Sequence, residues 1–218
     1  MGGKIEPIVL ILIAVTAITS IQGFSNMRFF ERYKFNVGAI LGHKQWDRIL
    51  SSAFLHGDYM HLIFNMLTLY FFSDIIIQML GLWQYLLIYF AAVIGGGLLS
   101  LLVHRKEYYY SAIGASGGVV GILFAAIALY PHMGIGFIFL PFIDIPGWIF
   151  GILYLGYSIY GMQSQLGNVG HDAHLGGAAV GLLLAILLEP RVLAANGLYI
   201  GIMIIPLIIL TYLVIKRK

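Results

Sequence analysis

The sequence has 218 residues, of which 61% are hydrophobic and only 10% are charged, and this composition excludes an ordinary soluble domain. The formal net charge of +3 is spread over loops and chain ends, which argues against the dense basic surface that binding to nucleic acid requires. Cysteine is absent, which excludes a disulfide framework, a thiol nucleophile and a zinc–thiolate site.

Apolar runs separated by short polar breaks recur along the chain. A helix needs about 20 mostly apolar residues to cross a hydrocarbon core about 30 Å thick. The first run follows Lys4 and lacks a clear small-x-small cleavage site, so we expect a retained helix rather than a removed signal peptide. The runs predict an all-α polytopic membrane protein with seven spans, at residues 7–24, 53–73, 82–103, 115–131, 147–163, 172–188 and 197–215.

Two connections between the predicted helices are long enough to have structure of their own. Residues 25–52 combine several cations with aromatic side chains such as Trp46, a mixture typical of a segment at the membrane interface. Residues 131–146 contain two Phe-rich stretches, which indicate a loop partly sunk in the membrane surface.

Glycines in the fourth and sixth predicted helices recur at a spacing of four residues. Gly117 and Gly121 lie on the fourth helix, and Gly177 and Gly181 lie on the sixth. Small residues at this spacing let helix backbones approach closely in lipid. We therefore expect these two helices to pack against neighbours in the centre of the bundle.

Few strongly polar side chains fall inside the predicted helices, and all of them fall near one end of their helix. Even-numbered spans run parallel, so the starts of helices two, four and six share one side of the membrane. Polar and ionisable groups are costly in a span and usually mark function. They are His56, His61 and Asn65 on helix two, Ser116 on helix four, and His171, Asp172 and His174 on helix six.

Ser116 and His174 have the chemistry of a nucleophile and its general base. Serine needs a base within hydrogen-bond reach, and a neutral imidazole is the usual one. Ser116 falls in the first turn of its helix, where free backbone N–H groups suit an oxyanion. Two plainer interpretations stay open, because Gly-x-Ser-Gly is also a close-packing device and a histidine near a helix start is often a packed or capping residue.

His61 and Asn65 are four residues apart and share a helix face. They are either side-chain donors to the oxygen of a tetrahedral intermediate or an interhelical hydrogen-bonded pair. We expect His56 to support the adjoining loop and Asp172 to cap its helix or lie in the first turn. Asp172 lies about 200° around the helix from His174, so it is a poor third member of a triad.

Three motifs together resemble the rhomboid family of intramembrane serine proteases. They are Gly-Ala-Ser-Gly around Ser116, Ala-His-Leu-Gly-Gly around His174, and the His-x4-His-x3-Asn spacing of His56, His61 and Asn65. The Trp46 and Arg48 pair also matches the Trp-Arg element of that family's first loop. The resemblance covers residues 1–190, a six-helix catalytic core with residues 25–52 as its first loop, and leaves residues 191–218 as an additional helix with a basic tail.

The resemblance implies a Ser116 and His174 dyad without a catalytic acid and without a cofactor or metal. It implies an oxyanion site formed by His61, Asn65 and the Ser116 backbone N–H, and it implies transmembrane proteins in the lipid bilayer as substrates. The fifth helix and the loop from Ser164 to Gly170 would gate a water-filled cavity, with Trp148, Phe150 and Tyr154 as lining residues. Some relatives place a tyrosine where this chain has Val120, so the orientation of His174 depends on other contacts here.

Two other functions stay open at this point. A metal site is conceivable because His56, His61, His171, Asp172 and His174 are possible ligands, although the His-Glu-x-x-His pattern is absent and Ser116 would be unexplained. A rhomboid-like non-catalytic binder or a transporter of membrane segments is the non-enzymatic alternative, but retained Ser116 and His174 argue against it. The chain also lacks a matching pair of interrupted helices in two halves.

Charge and resemblance predict opposite orientations in the membrane. The family topology places the N-terminus inside and the active site outside. The positive-inside rule favours the reverse, because in the family topology only the cations Lys4 and Arg191 lie inside. We expect the family topology, in the cell membrane of a prokaryote.

Overall fold

The computed structural model describes residues 6–137, 140–164 and 170–216, and most of these residues are helical. In chain order the helices are α1 (Pro7–Ser25), α2 (Met27–Tyr33), α3 (Val37–His43), α4 (Arg48–Ser51), a 3₁₀ helix (Ser52–Phe54), α5 (Tyr59–Leu80), α6 (Leu82–Val103), α7 (Ser116–Leu129), α8 (Gly147–Ser164), α9 (His171–Leu188) and α10 (Val192–Lys216). The strands are β1 (Phe35–Asn36), β2 (Ser111–Ala112), β3 (Gly134–Phe137) and β4 (Leu140–Pro146).

Each of the seven predicted spans corresponds to one helix, namely α1 and α5 to α10, so the all-α polytopic prediction is confirmed. Within the described ranges, α1, α5, α6, α9 and α10 are long and apolar enough to cross a membrane by themselves. The apolar helix α7 has only 14 residues. At about 1.5 Å per residue it is about 21 Å long, which is shorter than a hydrocarbon core of about 30 Å.

The second predicted helix was placed too early in the chain. It begins at Tyr59 rather than at residue 53, because the Asp58 side chain caps it by accepting a hydrogen bond from the His61 backbone N–H at 2.8 Å. The apolar residues just before it form the 3₁₀ helix and an extended connection instead. The placement of His56 in the first turn of this helix is therefore wrong, since His56 precedes the helix.

The predicted interfacial segment forms a layer of short helices, α2 to α4. Arg48, the first residue of α4, is buried, and its guanidinium group donates to the Gln45 side chain at 2.6 Å and to the carbonyls of Glu31 and Lys34 at 2.9 and 2.7 Å. Its burial, together with the charge of Arg32, lowers the pKa of Arg48 from its ordinary value. Arg48 thus ties three parts of the loop to one another, while the position of the loop at the membrane interface stays a prediction.

The predicted sunken loop between α7 and α8 contains regular structure. Strands β3 and β4 pair in antiparallel fashion, with Ile135 opposite Ile145 and Gly136 opposite Asp144. The Phe-rich composition indicated apolar surroundings but carried no signal for the pairing. The hairpin provides partners for backbone groups that would otherwise be costly to bury.

The centre of the bundle is α7, whose residues from Gly117 to Leu129 are all buried. It packs most closely against α9, as the glycine spacing predicts. A Cβ atom added at Gly177 would overlap the carbonyl of Gly117, and one added at Gly181 would overlap the carbonyl of Gly121. The two backbones are therefore in direct contact, and only glycine fits at these two positions of α9.

Candidate active site

The side chains of Ser116 and His174 meet where α7 and α9 both begin. The distance between Ser116 Oγ and His174 Nε2 is 2.7 Å, which is a short hydrogen bond. Both side chains are half-buried. The direct backbone contact of α7 with α9 brings the hydroxyl and the imidazole together, so the predicted pairing is present in the geometry.

The second ring nitrogen of His174 is also engaged. Its Nδ1 lies 2.9 Å from the hydroxyl of Tyr154 on α8. If Nε2 accepts the Ser116 proton, Nδ1 carries a hydrogen and donates it to the Tyr154 oxygen. Sequence reasoning named Tyr154 only as a lining residue. The absence of a tyrosine at Val120 was the one signal that another group had to orient His174.

The turn before Ser116 is shaped by Gly114. Its φ of 121° lies in a region that favours glycine, and its N–H donates to the Ser52 carbonyl at 3.0 Å. A Cβ atom at this position would lie 2.9 Å from His61 Nε2 and 3.7 Å from Ser116 Oγ. The His61 ring therefore lies beside Ser116, next to the N-terminus of α7.

His56 holds this turn in place through a chain of hydrogen bonds. The Ala115 backbone N–H donates to His56 Nε2 at 3.3 Å, so the hydrogen of His56 is on Nδ1. Nδ1 then donates to Ser20 Oγ at 2.8 Å, and Ser20 donates to the Phe54 carbonyl at 2.9 Å. The predicted supporting role of His56 thus has a geometric basis. Ser20 was missed because a single serine in an apolar helix resembles any small packing residue.

Asn65 is buried one turn after His61 on α5. Its Nδ2 donates one of its two hydrogens to the His61 carbonyl at 2.9 Å, and the second hydrogen is not used in this bond. His61 is also in edge-to-face contact with His56, at a ring separation of 4.8 Å. The structure therefore places the His61 ring at the site, whereas a donor role for Asn65 stays a prediction.

The two other polar residues at the start of α9, His171 and Asp172, contact tyrosines outside the Ser116–His174 pair. Asp172 is buried and accepts a hydrogen bond from the hydroxyl of Tyr110 at 3.3 Å. His171 packs edge-to-face against Tyr157 of α8 at 5.3 Å. In the described part of the chain, no three His, Asp or Glu side chains are grouped to hold a metal ion.

A cavity of about 310 Å³ opens between α5, α7 and α8, and Tyr154, the partner of His174, is one of its lining residues. Phe64 and Phe71 of α5 line one wall, and Phe150 and Tyr154 of α8 line the other. Trp148, also expected at the gate, contacts Tyr199 of α10 at a ring separation of 5.5 Å instead. Of the predicted gating loop, residues 165–169 lie outside the described part of the chain.

Comparison with known proteins identifies a family domain in this chain. A model of the Rhomboid domain matches residues 43–191, which include Ser116, His174, His61 and Asn65 and end directly before α10.

Three curated proteins are similar to the chain over a comparable region. RHOMBOID-like protein 12, mitochondrial, from Arabidopsis thaliana is 32% identical over 147 residues, which cover 61% of this chain and 43% of the relative. Rhomboid protein 1, mitochondrial, from Saccharomyces cerevisiae is 32% identical over 140 residues, which cover 62% of this chain and 40% of the relative. Presenilin-associated rhomboid-like protein A, mitochondrial, from Danio rerio is 30% identical over 132 residues, which cover 60% of this chain and 34% of the relative.

The chain spans less than half the length of these relatives. The Rhomboid domain model nevertheless matches well over half of this chain, and the matched region carries the helices that meet at Ser116 and His174. This multi-pass membrane protein belongs to the rhomboid family.

Proposed function

We propose that the chain is an intramembrane serine endopeptidase, which hydrolyses peptide bonds in or near the transmembrane segments of other membrane proteins. The observation that carries the proposal is the 2.7 Å contact of Ser116 Oγ with His174 Nε2 at the start of a buried helix. A hydroxyl and an imidazole at this distance, amid apolar helices, have the geometry that nucleophilic catalysis needs.

The proposed reaction proceeds in two steps. His174 Nε2 takes the Ser116 proton as Ser116 Oγ attacks the peptide carbonyl, and the same proton then passes to the leaving amine. Water, deprotonated by His174, hydrolyses the acyl ester and restores the serine. No cofactor or metal is needed for either step.

The N-terminus of α7 and the first turns of α5 would supply the groups for the negative oxygen of the tetrahedral intermediate. The Ser116 backbone N–H belongs to the first turn of α7 and lacks an intrahelical partner. His61 Nε2 lies beside Gly114 and close to Ser116, and we propose Asn65 as a further donor through its remaining amide hydrogen. Loss of one such donor typically slows catalysis by about 10²- to 10³-fold.

Substrates would enter through the cavity between α5 and α8. A peptide bond in an intact helix is shielded by its neighbours, so the substrate has to unwind locally before Ser116 reaches its carbonyl. The aromatic walls formed by Phe64, Phe71 and Phe150 suit an apolar segment arriving from the bilayer. These features favour transmembrane proteins over soluble peptides.

We also propose domain boundaries, a location, and an orientation with the N-terminus inside and the active site outside. We assign residues 1–190 to the catalytic core and residues 191–218 to an additional helix and tail. We also propose a prokaryotic cell membrane, although the relatives are mitochondrial by name. Protease protection of tags on the two termini tests the orientation.

The test uses the purified chain in liposomes with a fluorescently labelled transmembrane substrate. We expect wild type to cleave it, and Ser116→Ala and His174→Ala to lose cleavage. Ser25 and His43 are exposed residues on the same side of the membrane as the site, so they serve as matched controls. Ser25→Ala and His43→Ala should cleave the substrate as wild type does. Equal cleavage by wild type and both dyad variants would overturn the proposal and favour a non-catalytic binder.

A serine-directed phosphonate and a chelator distinguish the chemistry. The phosphonate should label wild type at Ser116 and abolish cleavage, while the chelator should have no effect. Inhibition by the chelator alone would favour the metal alternative instead.

A further inference from the structure

A second polar cluster, separate from Ser116 and His174, lies where α6 ends and α9 begins. His104 follows α6, Tyr110 lies in the connection from α6 to α7, and Asp172 belongs to the first turn of α9. The rings of His104 and Tyr110 are stacked, with centroids 3.5 Å apart and an angle of 7° between their planes. Asp172 Oδ1 accepts a hydrogen bond from Tyr110 at 3.3 Å, and His104 Nε2 lies 3.7 Å from Asp172 Oδ2.

We propose that His104, Tyr110 and Asp172 form a positioning site, which fixes the distance between Ser116 and His174. The inference rests on the proposed function. It assigns a role in that reaction to three residues that touch neither the dyad nor a substrate.

The cluster connects α9 with the segment that leads into α7. Asp172 precedes His174 by two residues on α9, and Tyr110 precedes Ser116 by six residues in the segment leading into α7. The hydrogen bond between Tyr110 and Asp172 therefore links the two segments of the chain that carry the proposed base and the proposed nucleophile. A change in this contact alters the placement of one relative to the other.

The Tyr110 end of the link is fixed to the first loop. Its carbonyl accepts hydrogen bonds from the Val37 N–H at 3.1 Å and from Asn36 Nδ2 at 3.3 Å, and Phe35 packs against its ring edge at 6.3 Å. Tyr110 thus provides a rigid point from which Asp172 is held.

The Asp172 end of the link transmits to the site through a close backbone contact. The carbonyl of Ala173, between Asp172 and His174, lies against α6 so closely that a Cβ atom at Gly96 would lie 2.6 Å from it. A Cβ atom at Gly117, the residue after Ser116, would lie 3.5 Å from the same carbonyl. The first turn of α9 is therefore tightly packed against α6 and lies next to the start of α7.

The charge of the cluster depends on His104. Asp172 is only 3% exposed, and its Oδ2 has no hydrogen-bond partner in the described structure, so the cation of a protonated His104 is the natural compensation. Glu107, in the loop after α6, contacts His104 Nδ1 at 2.9 Å. Arg105 and Lys106 are exposed in the same loop.

Other elements around the cluster add few titratable groups. Ser100 of α6 is near Asp172 but does not titrate, and β1 contributes only the apolar ring of Phe35. On α9 itself, His171 and His174 are the titratable neighbours of Asp172.

The direction of the pH effect follows from these contacts. Burial alone lowers the pKa of His104, but the polar contacts with Asp172 and Glu107 and their negative charges outweigh it, so the pKa is raised. The stabilisation from the pair is complete below the unfolded-state pKa of about 6.5 and is lost as the pH rises through the higher folded-state value. The positioning site should therefore loosen on the alkaline side.

The experiment measures kcat and KM for the labelled transmembrane substrate in liposomes from pH 5 to pH 9. For wild type we expect kcat to fall about tenfold on the alkaline limb, the lower end of the range for loss of one contact between charged groups, with KM unchanged. Asp172→Asn has no buried charge to compensate, so its kcat should lose this limb. His104→Gln should keep a reduced kcat at every pH.

Two further variants keep the test decisive if these substitutions impair folding. Tyr110→Phe removes a single hydroxyl and should lower kcat about two- to tenfold, the range for one hydrogen bond, without changing KM. His43→Gln replaces an exposed histidine on the same side and should retain the wild-type profile.

Profiles of Asp172→Asn, His104→Gln and Tyr110→Phe that superimpose on wild type would overturn the positioning role, while loss of cleavage in Ser116→Ala would still support the protease. A wild type that neither cleaves the substrate nor reacts with the phosphonate would overturn both. The two failures are therefore distinguishable.

Discussion

Replacing Tyr154 with phenylalanine tests how His174 is held without a carboxylate. The substitution removes one hydroxyl, which lies 2.9 Å from His174 Nδ1. The ring itself should stay in place, because it packs against Phe124 at 5.9 Å and Phe150 at 5.8 Å between ring centroids. The perturbation is thus confined to the hydrogen bond that orients the imidazole.

The expected size follows from the nature of that bond. A hydrogen bond between two neutral groups contributes about 0.5–1.5 kcal/mol net. Since about 1.4 kcal/mol corresponds to a tenfold change in rate, Tyr154→Phe should lower kcat by about 2- to 12-fold. A buried carboxylate in the same position would contribute much more, because it also stabilises the imidazolium that forms.

The assay is turnover of the labelled transmembrane substrate, together with the rate at which a phosphonate labels Ser116. We expect both kcat and the labelling rate to fall, with KM unchanged. Tyr160→Phe is the matched control, since Tyr160 lies on the same helix with 61% of its surface exposed. Wild-type kcat in Tyr154→Phe would refute the orienting role, and a loss above about 10³-fold would refute it too, since that indicates a direct chemical step.

Three further substitutions test contacts that support the site. Gly181→Val should destabilise the protein by about 1–3 kcal/mol through overlap with α7, measured by thermal unfolding, whereas Gly201→Ala has open space and should be neutral. Asn196→Leu should cost about 1–2 kcal/mol in the same assay, because it removes hydrogen bonds at 2.9 and 3.1 Å to two carbonyls at the end of α7. His56→Leu should slow phosphonate labelling several-fold by releasing the Ala115 N–H, and an unchanged labelling rate would contradict that link.

The number of spans was predictable because each one needs a long apolar run, whatever its neighbours. The residues at which the helices begin and end were less predictable. The start of α5 was missed by six residues because Ala53 to Leu55 are apolar like a span, and only the cap at Asp58 separates them from it. Apolar composition reports burial, whereas the hydrogen bonds at a helix end determine where the helix begins.

The candidate site was predictable where residue type restricts chemistry and was missed where it does not. Ser116 and His174 stood out because polar groups inside spans are rare and costly. Tyr154 and Ser20 did not, since a tyrosine or a serine in a membrane helix fits ordinary packing equally well. Their roles depend on which atom of another helix lies within 3 Å, and no spacing within one helix contains that information.

The shortness of α7 connects the site with the additional helix α10. At about 21 Å, α7 cannot reach both faces of a bilayer about 30 Å thick, so at least one of its ends lies at hydrocarbon depth, where unpaired backbone groups are costly. At its start, the free N–H groups are next to Ser116 and His61, where an anionic oxygen would use them. At its other end, Asn196 of α10 donates to the carbonyls of Ala128 and Leu129. A helix this short, with Ser116 at its start, therefore needs a partner for the carbonyls at its far end, and in this chain α10 provides it.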